Sequence, residues 1–206
     1  GVTQGAGLSL KWFRDNFCQA EKDTAKLMGV DEYYLMDKEA ETVPIGANRL
    51  LYLPYLMGER TPHLDPNARG MFFGLSAIHT KKEMLRAVME GVAYSLRDCV
   101  EICREMDINV SDMMACGGGG TSPLWRQMLA DLYNCPVKTA SSKEGPALGV
   151  AILALVGAGV YKTVPEACDK IVGVDKIQPP VAENVPVYEK YFRLLCIWNR
   201  RSIKLS

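Results

Sequence analysis

The sequence predicts an α/β fold, and three observations carry that expectation. Short apolar runs alternate with helical segments from Met71 onward. One long segment opens on a capping box, Thr80-Lys81-Lys82-Glu83, and continues as a periodic apolar stripe. A glycine run, Gly117 to Gly120, stands between a strand candidate and a segment that begins Ser122-Pro123, the signature of an N-cap followed by proline in the first turn.

The elements follow in order. Leu8 to Phe17 has helical spacing at Leu8, Trp12 and Phe13, with Ser9 as candidate cap. Cys18 to Glu41 is charged and predicts one or two surface helices. Leu50 to Met57 reads as a short strand running into irregular structure at Pro54, and Gly58 to Gly70 as a long loop. Met71 to Leu75 is a strand candidate. After the capping box, Leu85, Val88, Val92, Leu96, Cys99, Val100 and Cys103 continue the stripe to about Met106. Met113 to Cys116 and Pro136 to Ala140 predict strands either side of a helix from Ser122 to about Tyr133. Ser141 to Gly145 is read as a loop, with Gly145 permitting a tight turn. Pro146 to Val156 is apolar nearly all round and is expected to be a buried helix. A second capping box, Thr163-Val164-Pro165-Glu166, opens a short helix to Val172. Asn184 caps a last helix to about Arg201, with Tyr188, Tyr191, Leu194, Leu195 and Trp198 inward. No linker, repeat or low-complexity tract interrupts residues 1–206, which predicts a single domain.

Composition excludes several function classes. Lys plus Arg is 24 and Asp plus Glu is 24, so no bulk positive field is available for nucleic acid or an anionic membrane. No apolar run reaches the ~20 residues of a membrane span, and no secretory signal precedes the first helix. Seven cysteines, an odd number without a CxxC pair, and only two histidines point to free thiols in a reducing compartment rather than disulfides or zinc. A cytoplasmic protein is expected. Cys99 and Cys103 are read as core residues on one helix face, and Met57, Met71, Met84, Met89 and Met128 as core filler. Glu90 is read as a solvated mid-helix residue, with a buried pairing to Arg86 as the alternative.

The chemistry concentrates at the glycine run. A strand, four glycines and a capped helix bring backbone amides and a helix N-terminus to one place, with no Cβ to keep a ring or phosphate away. A ligand-free tight turn is the competing reading. A Walker A loop is excluded because Thr121-Ser122 carries no Lys, a dinucleotide fingerprint because the glycines are not spaced, and a protein kinase because HRD and DFG are absent. Glu59, Arg60, His63, Asp65 and Arg69 form the most polar cluster. It is either a surface loop pinned by Asp-Pro turns or a group at an interface near substrate.

Gly70-x-Phe72-x-Gly74-Leu75, seven further residues, then Glu83-Met84-x-x-Ala87-Val88-Met89-Glu90, resembles the C-terminal signature of the FGGY carbohydrate kinases. The loop Gly58-Glu59-Arg60-Thr61-Pro62-His63-x-Asp65-Pro66 resembles the form that xylulokinases carry within that family. Gly117-Gly118-Gly119 with Ser122, Trp125-Arg126-Gln127 and Ala130-Asp131 looks like the family's adenosine segment, and Glu144-Gly145-Pro146-Ala147-Leu148-Gly149 like the segment closing its site.

The resemblance implies an actin-like, ribonuclease H-like ATPase domain: the C-terminal lobe of a two-lobed sugar kinase. It implies ATP as cosubstrate, with Mg²⁺ held mainly by the other lobe. Gly118 and Ser122 match adenosine-contacting positions, Gly117 and Gly119 shape the loop, and Gly7 and Lys11 match positions near the phosphates. Lys11 stands where relatives have Gln, and Ser122 where they have Asn. The family's Asp-x-Gly-Thr motif is absent, so the catalytic base is expected in an N-terminal domain outside this chain, without which the chain is inactive. The opening Gly1-Val2-Thr3-Gln4 lacks an initiator Met, and the chain is expected to be about half of a full family member. Expected partners are that N-terminal domain, a sugar substrate and, by family habit, a second copy in a homodimer. D-xylulose is the expected sugar; ribulose, gluconate or glycerol, or a non-catalytic nucleotide-binding module, are the alternatives.

Overall fold

A computed structural model describes residues 2–141 and 145–202. Three helices come first: α1 (Ala6–Phe17), α2 (Gln19–Met28) and α3 (Glu32–Glu41). α1 opens at Gly5, not at the predicted Ser9 cap. Ser9 lies one turn inside the helix, buried, where its hydroxyl accepts from Tyr52 Oη at 3.3 Å. Gly5 holds the start because a Cβ there would stand 1.7 Å from the Pro54 carbonyl oxygen. Leu10 and Phe13 face inward, and Leu8, predicted on that face, is exposed. α2 ends at Gly29 in a left-handed conformation. Asp31 caps α3, accepting from the Tyr33 N–H at 2.7 Å.

β1 (Leu51–Leu53) and β2 (Met71–Phe73) pair antiparallel, with Tyr52 opposite Phe72. The loop between them runs over the surface, so Met57 is 69% exposed and Met71 is also exposed, against the prediction of core filler. Met89 and Met128 are buried.

α4 (Lys81–Glu105) carries the predicted capping box: the Glu83 carboxylate accepts from the Thr80 N–H at 2.8 Å and from its hydroxyl at 2.6 Å. Every residue from Leu85 to Ser95 is buried, so this stretch is enclosed on all sides rather than along one stripe. β1, α1 and α3 pack around it. That enclosure overturns the solvated reading of Glu90. Its carboxylate is buried and accepts from Arg86 Nε at 2.7 Å, because a charge inside a protein persists only when paired.

β3 (Met113–Ala115), β4 (Val137–Ala140) and β5 (Val174–Gln178) form the second sheet in that spatial order. β3 and β4 run parallel and are joined through α5 (Pro123–Tyr133), which starts as predicted: Ser122 Oγ accepts from the Trp125 N–H at 3.0 Å and Pro123 occupies the first turn. β5 runs antiparallel to β4 and escapes the sequence reading. Its Val174 and Ile177 are both exposed, so no buried face imposes an apolar alternation.

Between β4 and β5 lie α6 (Gly145–Gly157) and α7 (Val164–Ile171), and α8 (Val185–Ser202) follows. The α6 prediction is corrected. Ile152 is buried, whereas Val150 and Leu153 are 68% and 60% exposed. Apolarity all round states that a helix needs cover; here α7 supplies part of it and solvent takes the rest. In α8, Tyr188, Phe192, Leu195 and Asn199 face inward, and Leu194, predicted inward, is exposed.

Candidate nucleotide-binding site

The glycine run follows β3 as a single 3-10 turn, Gly118–Gly120. Gly117 before it has φ 75° and ψ −168°, a combination that a side chain forbids. A Cβ at Gly120 would lie 2.9 Å from the Ala115 carbonyl oxygen, so the turn packs against its own strand. Arg126, buried on α5, locks it from the other side: Nη1 donates to the carbonyls of Gly120 at 2.7 Å and Thr121 at 2.9 Å. A Cβ on Gly117 or Gly118 would meet nothing within 4 Å. The outer side of the turn is open space.

That space is a cavity of about 530 Å³ between α1, α3 and the start of α5. Four residues named from the sequence meet there: Gly7, Gly118, Gly119 and Ser122. Two do not. Gly117 shapes the turn without lining the cavity, and Lys11 is exposed one turn beyond Gly7 on α1. The sequence reading missed the opposite wall, which α3 contributes through Asp31, Tyr33, Tyr34 and Asp37. Only an Asp-Glu-Tyr-Tyr stretch signalled it, on a helix that looked like plain surface.

The lining is aromatic and acidic. Trp125 forms the floor, its indole N–H buried without a partner, and its ring lies 3.4 Å from where a Gly119 Cβ would stand. Burial pushes the Asp37 carboxyl above its ordinary value, and the Ser122 hydroxyl partly offsets that. Two carboxylates and no base among the lining residues disfavour a phosphate. An uncharged ring system fits: Tyr33, Tyr34 and Trp125 line the space, and the backbone carries no Cβ at Gly118. Among the described residues no group of three or more His, Cys, Asp or Glu is placed to hold a metal ion.

A second, apolar cavity of about 560 Å³ shares Gly7, Gly119 and Trp125 with the first and follows β3 and α4. Cys99 and Cys103 line it, so they sit at the edge of the core rather than within it. All seven cysteines are thiols rather than disulfides. Cys116 is exposed, and burial raises the Cys18 thiol to about 11.

The polar loop divides in two. Arg60 and Arg69 face solvent, with Arg69 Nη1 donating to the carbonyls of Pro66 and Ala68. Glu59 is buried and accepts from Thr3 Oγ1 at 2.7 Å, the Gln4 N–H at 3.2 Å and the Arg60 N–H at 2.7 Å. It therefore anchors the segment that leads into α1 and Gly7. His63 points toward α8, where Asn199 Nδ2 lies 2.6 Å from its Nε2. Burial lowers its pKa, which favours the neutral ring.

Asp98 lies 4.0 Å from His63, and burial raises its carboxyl from 3.8 to about 6. A raised carboxyl favours the fold while protonated. The unfolded chain ionises near pH 4, so stability falls as pH rises from there and the loss is complete above about 6. At about 1.4 kcal/mol per pKa unit the loss is of order 2–3 kcal/mol. Asp98→Asn is therefore expected to stabilise the protein at pH 7.5 and leave it unchanged at pH 3.5. Urea denaturation at the two pH values checks this; equal effects at both would reject it.

The fold defines a class, an actin-like ATPase lobe, and comparison with known proteins bears that class out. Residues 1–158 match the FGGY family of carbohydrate kinases, C-terminal domain. The chain belongs to that family. It is 40% identical over 194 residues to the xylulose kinase of Bacillus subtilis (strain 168), covering 94% of this chain and 37% of the relative. It is 39% identical over 195 residues to the gluconokinase of Bacillus licheniformis, covering 94% of this chain and 38% of that protein. The ligand-bound xylulose kinase of Lactobacillus acidophilus superposes with a TM-score of 0.85 at 30% identity, covering 97% of this chain and 38% of that one. The chain thus spans less than two fifths of these relatives, short of the half expected from the sequence. Glu144, in the segment matched to the closing of the family's site, lies outside the described residues.

Proposed function

We propose that this chain is the adenosine-binding lobe of an ATP-dependent sugar kinase that converts D-xylulose to D-xylulose 5-phosphate. The observation that carries the reading is the cavity in which Gly7, Gly118, Gly119 and Ser122 converge. Gly118 gives the nucleoside its close approach, Gly117 and Arg126 hold the turn, and Glu59 holds the start of α1 on the phosphate side. Bound Mg-ATP supplies the phosphoryl group, and this lobe fixes its adenosine end so that transfer is confined to one geometry. The base that takes the sugar's proton and most Mg²⁺ contacts are assigned to an N-terminal domain, so this chain alone is inactive. The exposed apolar residues of α6 and the edge position of β3 among the described strands support packing against further protein, either that domain or a second copy. Free thiols throughout fit the cytoplasm, and no helix among the described residues is long and apolar enough to cross a membrane. A gluconokinase is the second reading, favoured by the 39% identity to the B. licheniformis enzyme.

The test supplies the missing part. The chain is joined in turn to the N-terminal domain of the B. subtilis xylulose kinase and to that of the B. licheniformis gluconokinase, and each fusion is assayed on D-xylulose, D-gluconate, D-ribulose and glycerol. Higher turnover in the xylulose kinase fusion, on D-xylulose, is expected; higher turnover in the gluconokinase fusion, on gluconate, would select the second reading, and turnover by neither would sink the kinase assignment. Gly118→Val in the xylulose kinase fusion is expected to raise the ATP dissociation constant at least about tenfold, or ~1.4 kcal/mol. Its side chain enters open space in the cavity without disturbing the fold. Unchanged affinity would remove the glycine turn from the site.

A further inference from the structure

We propose that Asp37 selects the base, accepting a hydrogen bond from the 6-amino group of a bound adenine. The inference rests on the nucleotide reading above and goes beyond it by assigning a specificity residue.

Two carboxylates line the cavity, and they differ in what remains free. Asp31 is exposed and committed to the Tyr33 N–H as the cap of α3. Asp37 lies six residues further along the helix, about 9 Å along its axis by helical rise. It is half-buried. The Ser122 hydroxyl lines the same cavity and favours the ionised Asp37 against the burial that opposes it. That hydroxyl has one proton to give and already accepts the Trp125 N–H. A carboxylate offers about four lone-pair sites, so Asp37 retains capacity after Ser122 is satisfied. Among the described residues no Lys or Arg lines the cavity to absorb it. What is missing is a neutral donor.

The shape restricts which donor arrives. Tyr34, Trp125, Leu10 and Pro123 give apolar, largely flat walls beside Asp37, and Gly118 leaves the facing backbone open. Such a slot receives a planar ring edge-on to its polar group. A ring that presents an amino group to Asp37 satisfies it, whereas a ring without one leaves a desolvated carboxylate unpaired.

The experiment is isothermal titration of the chain with ATP, purine riboside triphosphate (which lacks only the 6-amino group) and 2′-deoxy-ATP. ATP is expected to bind about 10- to 100-fold tighter than the purine riboside analogue, the range of a hydrogen bond to a charged group. Asp37→Ala should bring that ratio near unity while leaving the ratio of ATP to 2′-deoxy-ATP unchanged. Asp37→Asn, which keeps the shape and one acceptor oxygen, should fall between and serves if the alanine variant does not fold. An unchanged ATP-to-purine ratio in both variants would overturn the inference, as would a change confined to the 2′-deoxy ratio, since the carboxylate would then read the ribose. If no nucleotide binds the unsubstituted chain or its fusion to the N-terminal domain, the nucleotide reading falls with it. Binding of ATP without base discrimination rejects the Asp37 assignment alone.

Discussion

Glu90→Ala is expected to destabilise the protein by about 3–5 kcal/mol, the range for removing one partner of a buried ion pair. Both Glu90 oxygens lie 3.1 Å from the Gly46 N–H, and Oε1 also accepts from Arg86 Nε. Arg86 Nη2 in turn donates to Tyr188 Oη at 2.9 Å, and Nη1 lies 3.4 Å from the Ala40 carbonyl. One pair thus ties α4 to the end of α3, to the turn at Gly46 and to α8. Alanine would leave the Arg86 charge buried without a counterion and the Gly46 N–H without an acceptor. The Gly46 turn has no slack to rearrange: Gly46, Ala47, Asn48 and Arg49 all have positive φ. Urea denaturation measures the loss, and a value under about 1 kcal/mol would mean that solvent reaches the pair.

Gly91→Ala sets two effects of opposite sign against each other. In an exposed helix the change would gain about 1 kcal/mol from helix propensity. Here the new Cβ would stand 2.2 Å from the Tyr52 carbonyl oxygen and 3.0 Å from its carbonyl carbon. Those atoms belong to β1, so no flexible side chain can move aside. Either α4 and β1 separate or Tyr52 shifts with its partner Phe72. Overpacking of this kind costs about 3 kcal/mol at its upper end, which outweighs propensity. A lower denaturation midpoint than the parent is the expected result. A higher one would show that helix and strand do not approach so closely.

The contrast between these two residues explains what the sequence disclosed. Local devices were legible because both partners lie within a turn: Thr80 with Glu83, and Ser122 with the Trp125 amide, mark α4 and α5 to the residue. Devices closed through space were not. Arg86 is four residues from Glu90, yet Gly46 and Tyr188 enclose the pair from remote parts of the chain, and without them Glu90 looks solvated. β5 went unseen because a solvated edge strand needs no apolar alternation. The site follows the same division. The glycine turn and Ser122 announced themselves in one short segment, whereas Tyr34 and Asp37 reach the cavity only because α3, packed on α2 and α4, faces α1 and α5 across it. Backbone shape could be read locally; the groups that would choose a ligand could not.

The free edge of β3 has a consequence for how this polypeptide behaves in the test tube. Strands that end a sheet usually defend themselves with a lysine, a proline or a bulge. Met113, Met114 and Ala115 carry none of these, and an apolar cavity runs alongside them. Among the described residues that edge is unpaired, and its amides and carbonyls are open to a further extended strand. Unless something occupies that position, concentrating the protein favours disordered association, and a sample's colloidal behaviour becomes a direct report on whether β3 is covered.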